Sequence, residues 1–208
     1  MTCCDIKKSG DEILLKIVAL LLCLAFLPHE QVSARSYSEK GTLHGSLQWL
    51  GYSYHPGGGS FPKRYPLKLD KKANHVVQIG AVAKLDYDLN EAFLLRFAVS
   101  YYKDCAMKDA GFLHYGFRGR IFSRGKHNIL VGLGPTLSFR RDWHSIPEYD
   151  RDGFYGNRSY LGWQYRFFIW GGEIDYLYEI SNGIEFHYSL IPGFPYAYTS
   201  LFGIRYRF

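Results

Sequence analysis

Glu185, His187 and Ser189 stand at every second position of Ile184-Glu185-Phe186-His187-Tyr188-Ser189-Leu190. Side chains two apart share one face of an extended strand. An imidazole, a hydroxyl and a carboxylate are therefore carried side by side. Such a trio is the equipment of acyl transfer, with Ser189 as nucleophile, His187 as base and Glu185 orienting the imidazole. The residues between them, Ile184, Phe186, Tyr188 and Leu190, are apolar. Whether the trio can reach a substrate depends on the medium that each face meets.

Other chemistry-bearing residues are sparser. His144 lies near Asp150 and Asp152, but without metal-ligand spacing, and solvated loop charge is its reading. Cys105 is a lone thiol beside a loop, and Gly57 to Gly59 gives loop freedom, since no helix follows to cradle a phosphate. No residue set calls for a metal or a cofactor.

The elements that carry these residues alternate with period two. Thr42 to Tyr52 sets Leu43, Leu47 and Trp49 against His44, Ser46 and Gln48. His75 to Leu89 sets Val77, Ile79, Ala81, Ala83, Leu85 and Tyr87 against Gln78, Lys84, Asp86 and Asp88. Phe93 to Tyr101, Leu113 to Ile121 and Ile129 to Arg141 repeat the pattern, with a bulge expected at Pro135. Trp163 to Glu179 changes phase at Gly171-Gly172, a second expected bulge. Ile184 to Leu190 follows, and Tyr198 to Phe208 closes the series with Phe202, Ile204, Tyr206 and Phe208 opposite Leu201, Gly203, Arg205 and Arg207.

The connections alternate as well. Residues 90–91, 123–127 and 181–183 are short, whereas 54–75, 104–110, 142–162 and 192–197 are longer. Short turns on one rim and long loops on the other, with an apolar and a charged face on every strand, define an expected fold class. It is all-β, an eight-stranded antiparallel transmembrane up-and-down β-barrel. Aromatic residues at 18% of the chain, with 18 Tyr and 15 Phe, fit the same class. A soluble β-sandwich is the competing architecture.

Two resemblances follow from these residues. Phe208, with Tyr206 two before it, resembles the C-terminal signature of bacterial outer-membrane barrels. That likeness implies a bacterial outer-membrane location and recognition by the barrel-assembly machinery. His187-Tyr188-Ser189 on the penultimate strand resembles the His-x-Ser motif of the lipid A 3-O-deacylases. It implies hydrolysis of an acyl chain from lipopolysaccharide by His187 and Ser189. That family has Asn after the Ser, where this chain has Leu190, and an acid on the final strand, where no Asp or Glu follows Glu185. The alternation also turns His187 and Ser189 toward the lumen, away from lipid.

The first 34 of the 208 residues read as an export leader. Lys7, Lys8 and Lys16 precede the apolar run Ile17 to Leu27, and Val32-Ser33-Ala34 offers small-residue cleavage. The expected domains are a signal peptide, 1–34, and a barrel, 35–208. Cleavage there removes three of the 25 basic and four of the 19 acidic residues, leaving a surplus of positive charge. It also leaves Cys105 as the sole cysteine, so strand closure rather than disulfides must hold the fold. An exported basic chain points to anionic lipid headgroups, not nucleic acid.

The expected interior holds Lys84, Asp86, Arg96, Arg118, Arg120, Arg140, Arg166, Glu173, Asp175, Glu185, Arg205 and Arg207. Eight strands enclose a space that side chains can fill. The leading expectation is therefore a monomeric, non-catalytic barrel with a filled polar lumen, whose loops meet lipopolysaccharide or other envelope partners. The alternatives are a lipid A ester hydrolase using His187 and Ser189, and a minor pore along the arginines.

Overall fold

The computed structural model describes residues 40–59, 62–142, 145–146, 159–193 and 197–208. The chain divides into residues 1–34 and 35–208. The leader expected over 1–34 lies outside the described residues, as do Trp143, His144, Asp150, Arg151, Asp152, Asn157 and Arg158 of the longest connection.

Among the described residues, ten strands form one sheet. They are β1 (Leu43–Tyr54), β2 (His75–Val76), β3 (Ile79–Asp88), β4 (Phe93–Lys103), β5 (Asp109–Arg124), β6 (His127–Arg141), β7 (Ser159–Tyr160), β8 (Trp163–Ser181), β9 (Ile184–Gly193) and β10 (Ala197–Arg207). β2 and β7 are two-residue additions at one rim, and the other eight strands make the wall. Each pairs antiparallel with its neighbours, in the order β10-β9-β8-β6-β5-β4-β3-β1. β1 also pairs with β10, from His44 opposite Arg207 to Tyr54 opposite Tyr198, so the sheet closes on itself. Closure removes the free edges that a sandwich keeps and satisfies the backbone internally, as a bilayer demands.

The C-terminal residue completes the seam. The Phe208 N–H donates to the Leu43 carbonyl at 2.9 Å. Its ring lies over Gly45, where an added Cβ would come within 3.0 Å of it. An aromatic ring over a strand glycine covers backbone that glycine leaves bare.

The two faces of the wall separate by chemistry. Leu47, Trp49, Leu85, Phe97, Val99, Tyr115, Phe117, Phe167, Phe202 and Ile204 point outward and are exposed. Lys84, Asp86, Arg96, Arg118, Asp175, His187, Ser189 and Arg205 point inward and are buried. Water would make this arrangement inside-out. Hydrocarbon around the wall accounts for it.

One rim carries the short turns and the described chain ends. There the Asp88 N–H donates to Thr42 at 3.0 Å, and the Arg207 N–H to Gly183 at 2.8 Å. The opposite rim carries the connections 55–74 and 104–108.

Local geometry departs from the alternation in three places. The strand expected over 75–89 is interrupted at 77–78, because the Val77 N–H donates to the Leu67 carbonyl of the preceding loop at 3.1 Å. β5 runs on to Arg124, and its register with β6 slips between Arg120 and Phe122. Phe122 rather than Ile121 therefore faces outward, and the turn narrows to Gly125-Lys126, with Gly125 at φ +59°. The bulges expected at Pro135 and at Gly171-Gly172 are one irregularity, which falls just before Gly171. Gly134 pairs with Gly171 but Thr136 with Phe168, leaving Pro135 opposite Ile169 and Trp170.

Candidate functional site

The inward faces stack into layers along the lumen. Nearest the short-turn rim, Leu94, Leu130 and Leu177 form an apolar cluster. Toward the long-loop rim, Val82, Ala98 and Leu201 form another, with Tyr102, Phe112 and Ile191 packed against it. Between them lies the charge.

Four cations and four carboxylates meet there. Arg96 is the hub: Nε and Nη2 donate to the two oxygens of Asp86 at 2.6 and 2.8 Å. Its Nη1 donates to Glu173 at 2.9 Å and to Asp175 at 2.6 Å. Lys84 binds Glu173 and lies 3.5 Å from Asp175. Arg118 donates to Glu173 at 2.8 Å, and Arg205 joins Asp86 at 3.2 Å to Glu185. The eight formal charges cancel. A buried ion is stable only when its partners replace the water it has lost, and bidentate arginine contacts do this well.

Small residues make room for the large ones. A Cβ on Gly132 would come within 2.3 Å of the Arg118 Cδ and 2.1 Å of the Phe117 carbonyl oxygen. Glycine opposite Arg118 is thus a packing requirement. Beside it, His114 contacts Arg118 at 2.9 Å and Thr136 at 2.7 Å.

The Glu185, His187 and Ser189 side chains face the lumen from β9. His187 Nε2 lies 2.9 Å from Asp175 Oδ1 and 3.1 Å from Ser189 Oγ. Ser189 donates to Asp175 and accepts from Lys84 at 2.8 Å and Gln48 at 2.9 Å. A triad places acid and hydroxyl on opposite ring nitrogens. Here both sit at Nε2, while Nδ1 is buried with no hydrogen-bond partner among the described residues. The carboxylate expected to orient the imidazole, Glu185, is instead held by Arg205. His187 and Ser189 are both wholly buried.

The remaining arginines assigned to the interior lie outside this ion cluster. Arg120, Arg140 and Arg166 are half-buried, and Arg207 is exposed at the short-turn rim. There Arg207 lines a cavity of about 20 Å³ with His44, Glu179, Gly183 and Glu185, room for roughly one water. Sequence reasoning put Gln48, His114 and Asp88 on the inner face without assigning them to the polar network. Gln48 reaches Ser189, and Asp88 takes a 2.7 Å contact from His44. Their inward parity was the available signal.

At the long-loop rim, Cys105 is buried with Tyr65, Ala73 and Val76. Burial pushes its thiol up to about 11. His55 Nε2 lies 3.3 Å from the sulfur, and burial lowers its imidazole. Among the described residues, no group of three or more His, Cys, Asp or Glu side chains is arranged to hold a metal ion.

Closed registers, an apolar outer wall and a filled, self-neutralising interior define an eight-stranded transmembrane β-barrel. No protein family's sequence profile and no curated protein matches the chain. Solved structures similar to it include a de novo designed transmembrane β-barrel, 11% identical, covering 82% of this chain and 98% of that one, with a TM-score of 0.46. Another is Ail, the attachment invasion locus protein of Yersinia pestis, in complex with the heparin analogue sucrose octasulfate. It is 13% identical and covers 82% of this chain and 100% of that one, with a TM-score of 0.44. Ail in a phospholipid bilayer nanodisc is 11% identical over 81% of this chain and 100% of that one, with a TM-score of 0.43.

Proposed function

We propose that the protein is a non-catalytic, non-conducting barrel of the bacterial outer membrane. It acts as a monomer, is delivered through recognition of β10 by the barrel-assembly machinery, and meets lipopolysaccharide or other envelope partners with its long-loop rim. One observation carries this reading. The central ions cancel four against four, and apolar clusters lie on both sides of them. A conducting path needs hydrated, available charge along its length. The arginines that would line one are occupied by Asp86, Glu173, Asp175 and Glu185.

A second reading, a lipid A ester hydrolase, is favoured by the 3.1 Å contact between His187 Nε2 and Ser189 Oγ. Against it stand the burial of both residues and the Lys84 and Gln48 donors that already occupy the hydroxyl oxygen. Incubating the folded protein with lipopolysaccharide and weighing the lipid A by mass spectrometry separates the two. The expected lipid A mass is unchanged. Loss of one acyl chain, abolished by Ser189→Ala, would replace the first reading with the second.

A further inference from the structure

The connection between β1 and β2 is a built element. Leu69 N–H donates to the His75 carbonyl at 2.8 Å, Val77 N–H to Leu67, and Lys68 pairs with Val76. Residues 67–69 thus add a short strand beside β2. The turn between them is fastened by Asp70, whose carboxylate accepts from the His75 N–H at 2.9 Å and the Asn74 side chain at 2.8 Å. The His75 N–H, foremost, holds that carboxyl below its usual range. Ala73 takes a left-handed φ of 54° to complete the turn. Tyr65, Ala73 and Val76 anchor the whole on Cys105 of the neighbouring hairpin.

This element presents cations that make no ion pair among the described residues. Lys63, Arg64, Lys71 and Lys72 are exposed, and among the described residues no carboxylate lies within salt-bridge distance of any of them. Asp70 is the only acid between Gly41 and Leu85, and it is committed to the turn. Lys68 is likewise committed, donating to the Pro62 carbonyl at 2.6 Å.

Apolar surface lies directly beneath. Opposed residues of an antiparallel pair share a face. Lys68 therefore lies on the inner side with Val76, and Leu67 and Leu69 on the outer side with Val77. Leu69 is 65% exposed and Ile79 57% exposed. The outward apolar column of β3 thus continues to Leu69, and the four cations flank it in the chain, Lys63 and Arg64 six and five residues before it and Lys71 and Lys72 two and three after. In a bilayer, that height is where hydrocarbon gives way to headgroup phosphate.

We propose that Lys63, Arg64, Lys71 and Lys72 bind the phosphates of a lipid headgroup in the leaflet facing the long loops, the phosphorylated sugar of lipid A, with Leu69 seated at its acyl boundary. The assignment rests on the membrane reading above. It commits to lipid phosphate because the cations adjoin the apolar wall instead of enclosing a soluble ion.

The test inserts the full-length protein into phosphatidylcholine vesicles with bisphosphorylated lipid A, dephosphorylated lipid A or neither, and measures lipid A retained after mild detergent extraction. The wild type is expected to retain the bisphosphorylated form selectively. The triple variant Arg64→Ala/Lys71→Ala/Lys72→Ala is expected to bind it about a hundredfold more weakly, at roughly a fivefold loss per cation. Leu69→Asn is expected to weaken it several-fold. Equal retention by wild type and triple variant, or of both lipid A forms, would overturn the proposal. Displacement by inorganic phosphate would overturn its assignment to a lipid. Failure of the wild type to insert into any vesicle would refute the membrane reading instead, and heat-modifiable migration on gels reports that separately.

Discussion

Arg96 and Arg64 are the same side chain in opposite circumstances. Arg96 is fully buried, with Asp86, Glu173 and Asp175 consuming its donors. Arg64 is exposed at the long-loop rim, where the one nearby acid in sequence is fastened to its own turn. The contrast teaches that charge composition does not locate function in this molecule. A crowded lumen is electrically closed, whereas the long β1–β2 connection is electrically open.

Breaking the lumen should have the largest effect. Arg96→Ala leaves three carboxylates short of a partner in a water-poor layer, and is expected to cost about 3–5 kcal/mol. Urea unfolding in lipid vesicles measures it, and a loss below about 1 kcal/mol would mean that the layer is hydrated. Cys105 comes next. With its thiol raised from an ordinary 9.0 to about 11, it holds about a hundred times less thiolate than a free cysteine at the same pH. Maleimide labelling at pH 8 should be slow in the folded barrel and fast after unfolding. The sign is that of a raised folded value: stability is intact below pH 9 and is lost as the pH climbs toward 11.

Ser189→Ala should cost less, about 1–3 kcal/mol, because Lys84, Gln48 and Asp175 lose a shared partner. A larger catalytic than structural effect would blur the comparison in favour of chemistry. Arg64→Ala should change stability by no more than about 0.5 kcal/mol, although it removes the same group as Arg96→Ala. Comparable losses at the two arginines would erase the distinction between closed and open charge.

Much of the wall was legible in the sequence. Leu85 and Lys84, or Phe97 and Arg96, announce their faces by alternation alone, because period two is a local property. Partnership is not local. Lys84 and Ser189 meet across the β3–β1–β10–β9 register while 105 positions apart, and no local pattern encodes that sum of registers. Ile121 gave no sign of its bulge, since an apolar residue fits either phase. The triad spacing at Glu185, His187 and Ser189 was visible, but Arg205 claims Glu185 from the next strand. The basic character of the loop could be read from Lys63 to Lys72. That Asp70 spends its carboxylate on His75 and Asn74 could not, because a hydrogen-bonded turn looks the same in sequence as a solvated one.

The most direct trial of the closed lumen is a planar-bilayer recording of the wild-type barrel, inserted at low density and held across a range of voltages. A flat baseline without discrete steps is expected, because the ions at mid-height neutralise one another between Leu94, Leu130 and Leu177 below and Val82, Ala98 and Leu201 above. Unitary, anion-selective current steps that change with substitution of Arg96 or Arg118 would contradict it.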